Sequence, residues 1–334
     1  MQASAETTHN AAADVPHVPV MLGEVVEYLA PRAGGRYLDG TLGLAGHSLG
    51  LLRASGGQAE LVCLDRDEQA LAMATKRLND EFPGRARTFH TAFSGFEEAL
   101  DQAGWDAVDG AVLDLGVSSL QLDEALRGFS FMADGPLDMR MDPSGGMPPA
   151  RVIVNKAHYD ELRRIIRDLG EEPLGGKIAR AIIRAREEEE IDSTLRLAEI
   201  VSRAYPPDRR RQARNHPATR TFMGLRMAVN QELEEVRHFL SRIVHRLKPG
   251  GRVAVISFHS AEDREVKEAF KYWSKGCRCP QEQQICTCER TPVLRTLTKK
   301  PQLPTEEEVA RNSRSRSAKL RVAERLDVAI REDA

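Results

Sequence analysis

The stretch RYLDGTLGLAGHSLGLLRASG, residues 36–56, decides how the fold is read. Its apolar opening, Tyr37 and Leu38, reads as a buried strand that closes on an acid, Asp39. Glycines at 40, 43 and 46 then interrupt the chain, and a helix is expected from His47 onward. A strand, a glycine turn and a helix together bring uncovered backbone close to a nucleotide-like ligand. The spacing is G-x-x-G-x-x-G, however, and not the G-x-G-x-x-G of dinucleotide sites. A carboxylate at the turn would repel a pyrophosphate and suits a cationic group.

Working outward, AELVCLD (59–65) is a second apolar run ending in acid, and DEQALAMATKRLND (67–80) has helical spacing. RARTFHTAF (85–93) reads as a third strand, and VDGAVLDLG (108–116) as a fourth, which places Asp114 at its end. Strands separated by helices of this length make βαβ units and a parallel sheet, an α/β fold. In such a sheet Asp39, Asp65 and Asp114 face one crevice at the strands' carboxyl ends. Asp65, about twenty residues beyond the glycine turn, stands where an acid holds ribose hydroxyls. A ligand with an amine, a sulfonium and a ribose but no phosphate satisfies all of these. S-adenosylmethionine is that ligand.

The alternation stops between residues 139 and 215. YDELRRIIRDLG (159–170), GGKIARAIIRAREEEE (175–190) and TLRLAEIVSRAY (194–205) are helical, with no strand of core quality among them. The rhythm returns with NQELEEVRHFLSRIVHRLKPGGRVAVISF (230–258). The expected organisation is a discontinuous α/β domain over 17–138 and 216–328, a helical domain inserted at 139–215, and a polar tail over 1–16. No apolar run is long enough to span a bilayer, and the first fifteen residues lack the pattern of a secretory signal. A cytoplasmic location without membrane contact is expected.

The chain carries 48 Lys and Arg against 50 Asp and Glu, a net charge of −2. Cations nevertheless cluster. Arg203, Arg209, Arg210, Arg211, Arg214, Arg220 and Arg226 share their stretch with one acid, Asp208, and Lys299–Arg325 reads as a basic tail. Local basic faces on a neutral chain fit a polyanion, although solvated helix faces would look the same.

Several longer stretches carry a more particular likeness. They are HVPVMLGEVVEYL, LDRDEQAL, LDLGVSSLQLDEALRGFSFMADGPLDMRMD, NHPATRTFMGLRMAVNQELEEV, LKPGGRVAVISFHSAEDREVK and NSRSRSAKLRVAER, in this order. With the glycine turn they resemble the RsmH (MraW) family of bacterial 16S rRNA cytosine-N4 methyltransferases over about residues 17–326. The resemblance implies a Rossmann-like methyltransferase sheet with a small inserted helical domain. It implies methyl transfer from S-adenosylmethionine to the exocyclic amine of a cytidine in the decoding centre, on free 16S rRNA, a small subunit or a late assembly particle. It also places cofactor contacts on Ala45, Gly46, His47, Asp65, Phe93, Asp114 and Gln121. The family usually has Gly where Ala45 stands, a methyl that is harmless if φ is negative there. It usually has Gln-Ala at Met223-Gly224.

A cytosine amine is a weak nucleophile, so transfer needs an acceptor that holds its hydrogens and turns the lone pair toward the methyl group. Asp114 is the candidate, with service to the cofactor alone as the alternative. His259, after the strand that follows the insertion, is either a second catalytic group or a loop-holding histidine. Phe129, Phe131, Phe222 and Phe258 lie nearest the motifs, as core residues or as stacking partners for a base. Cys277, Cys279, Cys286 and Cys288 form two C-x-C pairs that read as reduced thiols or as four zinc ligands, so no metal is assigned. The sequence leaves room for a homodimer. The competing functions are a nucleotide-dependent oxidoreductase on a similar sheet and a non-catalytic RNA-binding protein.

Overall fold

The computed structural model describes residues 19–213, 215–276, 279, 283 and 290–330. The polar tail 1–16, Arg214, Cys277, Cys286 and Cys288 fall outside them, and with them the question of a four-thiolate zinc site.

Seven strands form one sheet: β1 (Arg36–Asp39), β2 (Glu60–Asp65), β3 (Ala86–His90), β4 (Val108–Asp114), β5 (Leu247–Ser257), β6 (Leu294–Thr296) and β7 (Lys319–Arg325). Their order is β3-β2-β1-β4-β5-β7-β6. β1 to β5 run parallel, whereas β7 lies antiparallel to both β5 and β6. Successive strand residues point to opposite faces. Leu38, Val62, Leu64, Ala111, Leu113, Val253 and Val255 pack on one side against the helices Phe96–Gln102 and Glu232–Arg246. Tyr37, Leu61, Cys63, Val112, Ala254 and Ile256 pack on the other, against Leu22–Leu29 and Gly46–Ala54. Burial on both faces explains why these strands read as nearly continuous apolar runs.

The last strand corrects the sequence reading. Lys319–Arg325 is no tail. It is a central strand, and most of its charged residues are ion-paired in place. Arg321 pairs with Asp263 at 2.7 Å, and Glu324 takes Arg252 at 3.0 Å and Arg295 at 2.6 Å. Paired charges at the positions of a core strand hid it from a hydropathy pattern.

A second core lies outside the sheet, among the helices Ala150–Lys156, Tyr159–Arg164, Gly175–Glu188, Thr194–Ala204 and Thr219–Val229. A π-helical turn, Ile165–Leu169, continues the second of these, and Gly170 follows it. Here two backbones touch. A Cβ on Gly170 would stand 2.4 Å from the Arg220 carbonyl oxygen, and one on Gly224 would stand 2.6 Å from that of Ile165. Gly224, the departure from the family pattern, therefore sits in a contact that leaves no room for a side chain. Replacing Gly170 by Ala should destabilise the protein by about 1–3 kcal/mol, the range for overpacking a close contact. Chemical denaturation would show the midpoint shift, and an unshifted midpoint would mean that the contact yields freely.

Candidate active site

The glycine turn is braced from the neighbouring strand. Asp65 accepts the Gly43 N–H at 2.7 Å on one oxygen and the Asp67 N–H at 2.8 Å on the other. Gly43 itself is left-handed, φ +50°, and a Cβ there would meet nothing nearer than 4.0 Å. The turn is thus fixed in shape while its backbone stays uncovered. Burial pushes the Asp65 carboxyl up to about 6. Phe93 stands across the turn, its Cβ 3.0 Å from where a Gly40 Cβ would lie, and it leans edge-on against Phe239.

Ala45 is the first residue that differs from expectation. Its φ is +64°, not negative, and it caps the Gly46–Ala54 helix while fully buried. A left-handed alanine costs roughly 1–2 kcal/mol. The surrounding core holds it there, with Gly46 so close to Pro19 that a Cβ would sit 2.8 Å away.

Asp39 also departs from the sequence reading. It turns inward, 1% exposed, to accept the Ser48 hydroxyl at 2.7 Å and the Thr41 N–H at 3.1 Å. Its oxygens are engaged by the turn and the helix start. The neighbouring His47 contacts the Val20 carbonyl through Nε2 at 3.0 Å and directs Nδ1 toward Asp114, 3.9 Å from Oδ2.

Asp114 is the open group. Its backbone N–H donates to the Thr41 hydroxyl at 2.6 Å, which ties β4 to the glycine turn. Its Oδ1 is buried and has no hydrogen-bond partner. Burial pushes its carboxyl up to about 6 against the opposing effect of His47, with Asp39, Glu262 and Glu308 raising it further. Glu308 was not legible as part of this site. It arrives from the far end of the chain and accepts the Met21 N–H at 2.7 Å.

The remaining predicted residues lie around this centre in different roles. Gln121 is buried, and it completes a capping box with Ser118 and donates to Asp67 at 2.9 Å. Asp67, missed by sequence reasoning, also caps the Glu68–Glu81 helix and pairs with Arg127 at 2.9 Å. His259 caps the Ser260–Ser274 helix and places Nε2 3.0 Å from Glu262. Burial pushes Glu262 up. His259, Arg226 and the Phe258 N–H outweigh it, so its carboxyl lies below the ordinary range. Glu232 brings its carboxylate within 4.8 Å of the same pair, but Arg226 already grips it at 2.8 and 2.9 Å. A cation is therefore built in. Phe129 and Phe222 are core, Phe131 packs on Phe222 and His216, and Phe258 borders Gly116 beside Asp114.

The residues fit S-adenosylmethionine: an uncovered, braced turn, an acid at the end of β2, an aromatic wall at Phe93 and an unpartnered carboxylate oxygen at the end of β4. An all-parallel dinucleotide sheet has the order 3-2-1-4-5-6. Here β7 is slotted antiparallel between β5 and β6, which with this crevice defines a Rossmann-like S-adenosylmethionine-dependent methyltransferase.

The chain belongs to the MraW methylase family, whose model matches residues 14–326. It is similar to the ribosomal RNA small subunit methyltransferase H of Maridesulfovibrio salexigens, 64% identical over 92% of this chain and 95% of that one. The protein of the same description from Nitratidesulfovibrio vulgaris is 57% identical over 93% and 95%. Among solved structures, an rRNA methylase from Streptococcus thermophilus aligns at a TM-score of 0.41 and 11% identity, covering 91% and 95%. Among the described residues no helix is long and apolar enough to cross a membrane.

The raised Asp114 carboxyl has a consequence for stability. The folded state holds this proton more tightly than the unfolded chain, whose Asp titrates near 3.9. Taken alone, this carboxyl's contribution to stability is therefore greatest below about pH 4, is lost as pH rises toward 6, and stays lost above. Asp114→Asn removes that loss. Relative to wild type, the variant should gain on the order of 1–3 kcal/mol between pH 4 and pH 7, measured by denaturation without cofactor. A pH-independent difference between the two proteins would contradict a buried, raised carboxyl.

Proposed function

We propose that the protein methylates the N4 exocyclic amine of a cytidine in the decoding centre of 16S rRNA, using S-adenosylmethionine. The description of its close relatives and the chemistry of the crevice support this reading. The observation that carries it is the buried, unpartnered Oδ1 of Asp114 beside an uncovered glycine turn.

Gly43, Gly46, Asp65 and Phe93 would hold the cofactor, with Asp65 accepting ribose hydroxyls. When bound, S-adenosylmethionine supplies a methyl group on a sulfonium. Asp114 would accept an N4 hydrogen of the cytosine, which turns the amine's delocalised lone pair out of the ring plane and aims it. The carboxylate form is required for that role, so activity should rise as pH passes about 6. His47 behind Asp114 favours the charged form. The target base must leave its stack to reach this depth.

The residues 139–215 would form the RNA-recognising part. Arg209, Arg210 and Arg211 lie exposed on the short helix Pro207–Gln212, with Arg211 paired to Asp208. Arg226, by contrast, is committed to Glu232. The substrate would be 16S rRNA within a small subunit or late assembly particle in the cytoplasm. A homodimer is read directly by sedimentation of the pure chain.

Mass mapping of modified nucleosides in 16S rRNA should show an N4-methylated cytidine lost from cells without this protein and restored by the wild-type chain. An unchanged nucleoside map would refute the proposal. Two variants should separate the roles inside the crevice. Asp65→Ala should weaken S-adenosylmethionine binding by roughly 1.5–3 kcal/mol, the value of a lost charged hydrogen bond. Asp114→Asn should collapse single-turnover rates and abolish the acid limb of the pH profile while binding cofactor nearly normally. A parallel loss of cofactor affinity in Asp114→Asn would place that acid in the cofactor shell instead.

A further inference from the structure

The helical layer carries a second constellation, away from the strand-end acids. Tyr159 and Ile183 pack against the helical core and not against either face of the sheet. With Arg180 and Arg184 they line a groove of about 320 Å³. The tyrosine crosses its neighbouring helix at Gly176, where a Cβ would meet the Tyr159 hydroxyl at 3.0 Å. Arg180 donates to that hydroxyl at 2.9 Å and holds its guanidinium 5.6 Å from the ring centroid. Arg163 flanks the same point, its Cδ 3.8 Å and Nε 3.9 Å from that Cβ position.

Lys177, Arg180 and Arg184 recur at helical spacing and are all exposed. Among the described residues none of these three has an ion-pair partner. Arg151, Arg196 and Arg203 of the same layer are each tied to a glutamate. Acids are present on the adjoining helix at Asp160 and Glu161 and on the same helix at Glu187 and Glu188, one turn beyond Arg184, which dilutes the field without lining the groove.

An aromatic ring, a guanidinium plane fixed beside it and further cations form the chemistry that binds unpaired nucleotides. Bases stack on Tyr or Arg planes, and phosphates pair with guanidinium groups. The groove volume lies at the lower end of small-ligand sites, about 300 Å³, and suits one nucleotide unit. We propose that Tyr159, Arg180 and Arg184 form an accessory clamp for an unpaired nucleotide of the substrate RNA, separate from the crevice that would take the target base. This rests on the reading of the protein as an rRNA methyltransferase.

The test is filter binding of 16S rRNA to the full chain across a salt series, with cofactor affinity measured in parallel. Arg180→Glu with Arg184→Glu should weaken RNA binding at least tenfold. It should also reduce the log–log salt slope by about 1.4, two contacts at roughly 0.7 each. Cofactor affinity should stay at the wild-type value. Tyr159→Phe keeps the ring and should bind within about threefold of wild type, whereas Tyr159→Leu should lose affinity with an unchanged salt slope. Reversal of Lys267 and Lys271, exposed on the Ser260–Ser274 helix, controls for bulk charge. Normal RNA affinity and slope in the arginine double variant would overturn the clamp, as would an equal loss in the lysine control. Failure of the parent reading looks different, because wild-type protein would then methylate no rRNA at all.

Discussion

The buried ion pair between Asp67 and Arg127 joins the two layers of the protein. Asp67 is 2% exposed and also accepts Gln121 and two N–H groups of the helix it caps. Arg127 spends its remaining reach on the carbonyls of Arg140 and Met141, where the chain turns into the helical layer. Breaking one partner of such a pair leaves a charge stranded in the interior, which is far more costly than an exposed pair is helpful. Three consecutive residues at the end of β2 thus point three ways. Asp65 braces the glycine turn, Arg66 donates to the Asn230 carbonyl at 2.9 Å, and Asp67 holds the loop after β4. Asn230 in turn donates to Met139 and accepts from Met141. The crevice and the helices are therefore positioned by one short segment.

Much of this could be read from the chain. Strands buried on both faces leave continuous apolar runs, so β1, β2, β4 and β5 and the acids that close the first three of these were visible, and helical spacing gave the main helices of the helical layer. What escaped notice had a physical reason. β7 carries Arg321 and Glu324, whose partners Asp263 and Arg252 lie 58 and 72 residues away on other elements, and Arg325, which donates to the Leu326 and Val328 carbonyls. Ala45 gives no hint of a positive φ, because packing and not residue type imposes it. Glu308 reaches the crevice across 287 residues from Met21, a separation no motif encodes.

Within the crevice, the sequence marked where the acids stand more readily than what each one holds. Asp39 belongs to the internal bracing of the turn, and Gln121 to a capping box and the Asp67 cluster. Of the three strand-end acids, Asp114 alone keeps a buried oxygen without a hydrogen-bond partner. Residue type and strand end specify where a carboxylate sits, but the count of hydrogen-bond donors around it decides whether it is free to act, and that count is a property of the folded chain.

The order of the sheet bears on how the protein is made. β6 joins the sheet only through β7, which is synthesised after it and must slide between β5 and β6 with both of its edges paired. A chain emerging from the ribosome can therefore build β1 to β5 and the helical layer while β5 still presents a bare edge. Exposed edges of this kind invite pairing with other chains until they are covered. The segment containing Glu308 lies in the same late portion, so the wall of the crevice beside Asp114 is also completed last. A nascent chain thus has most of its fold before it has a finished catalytic centre.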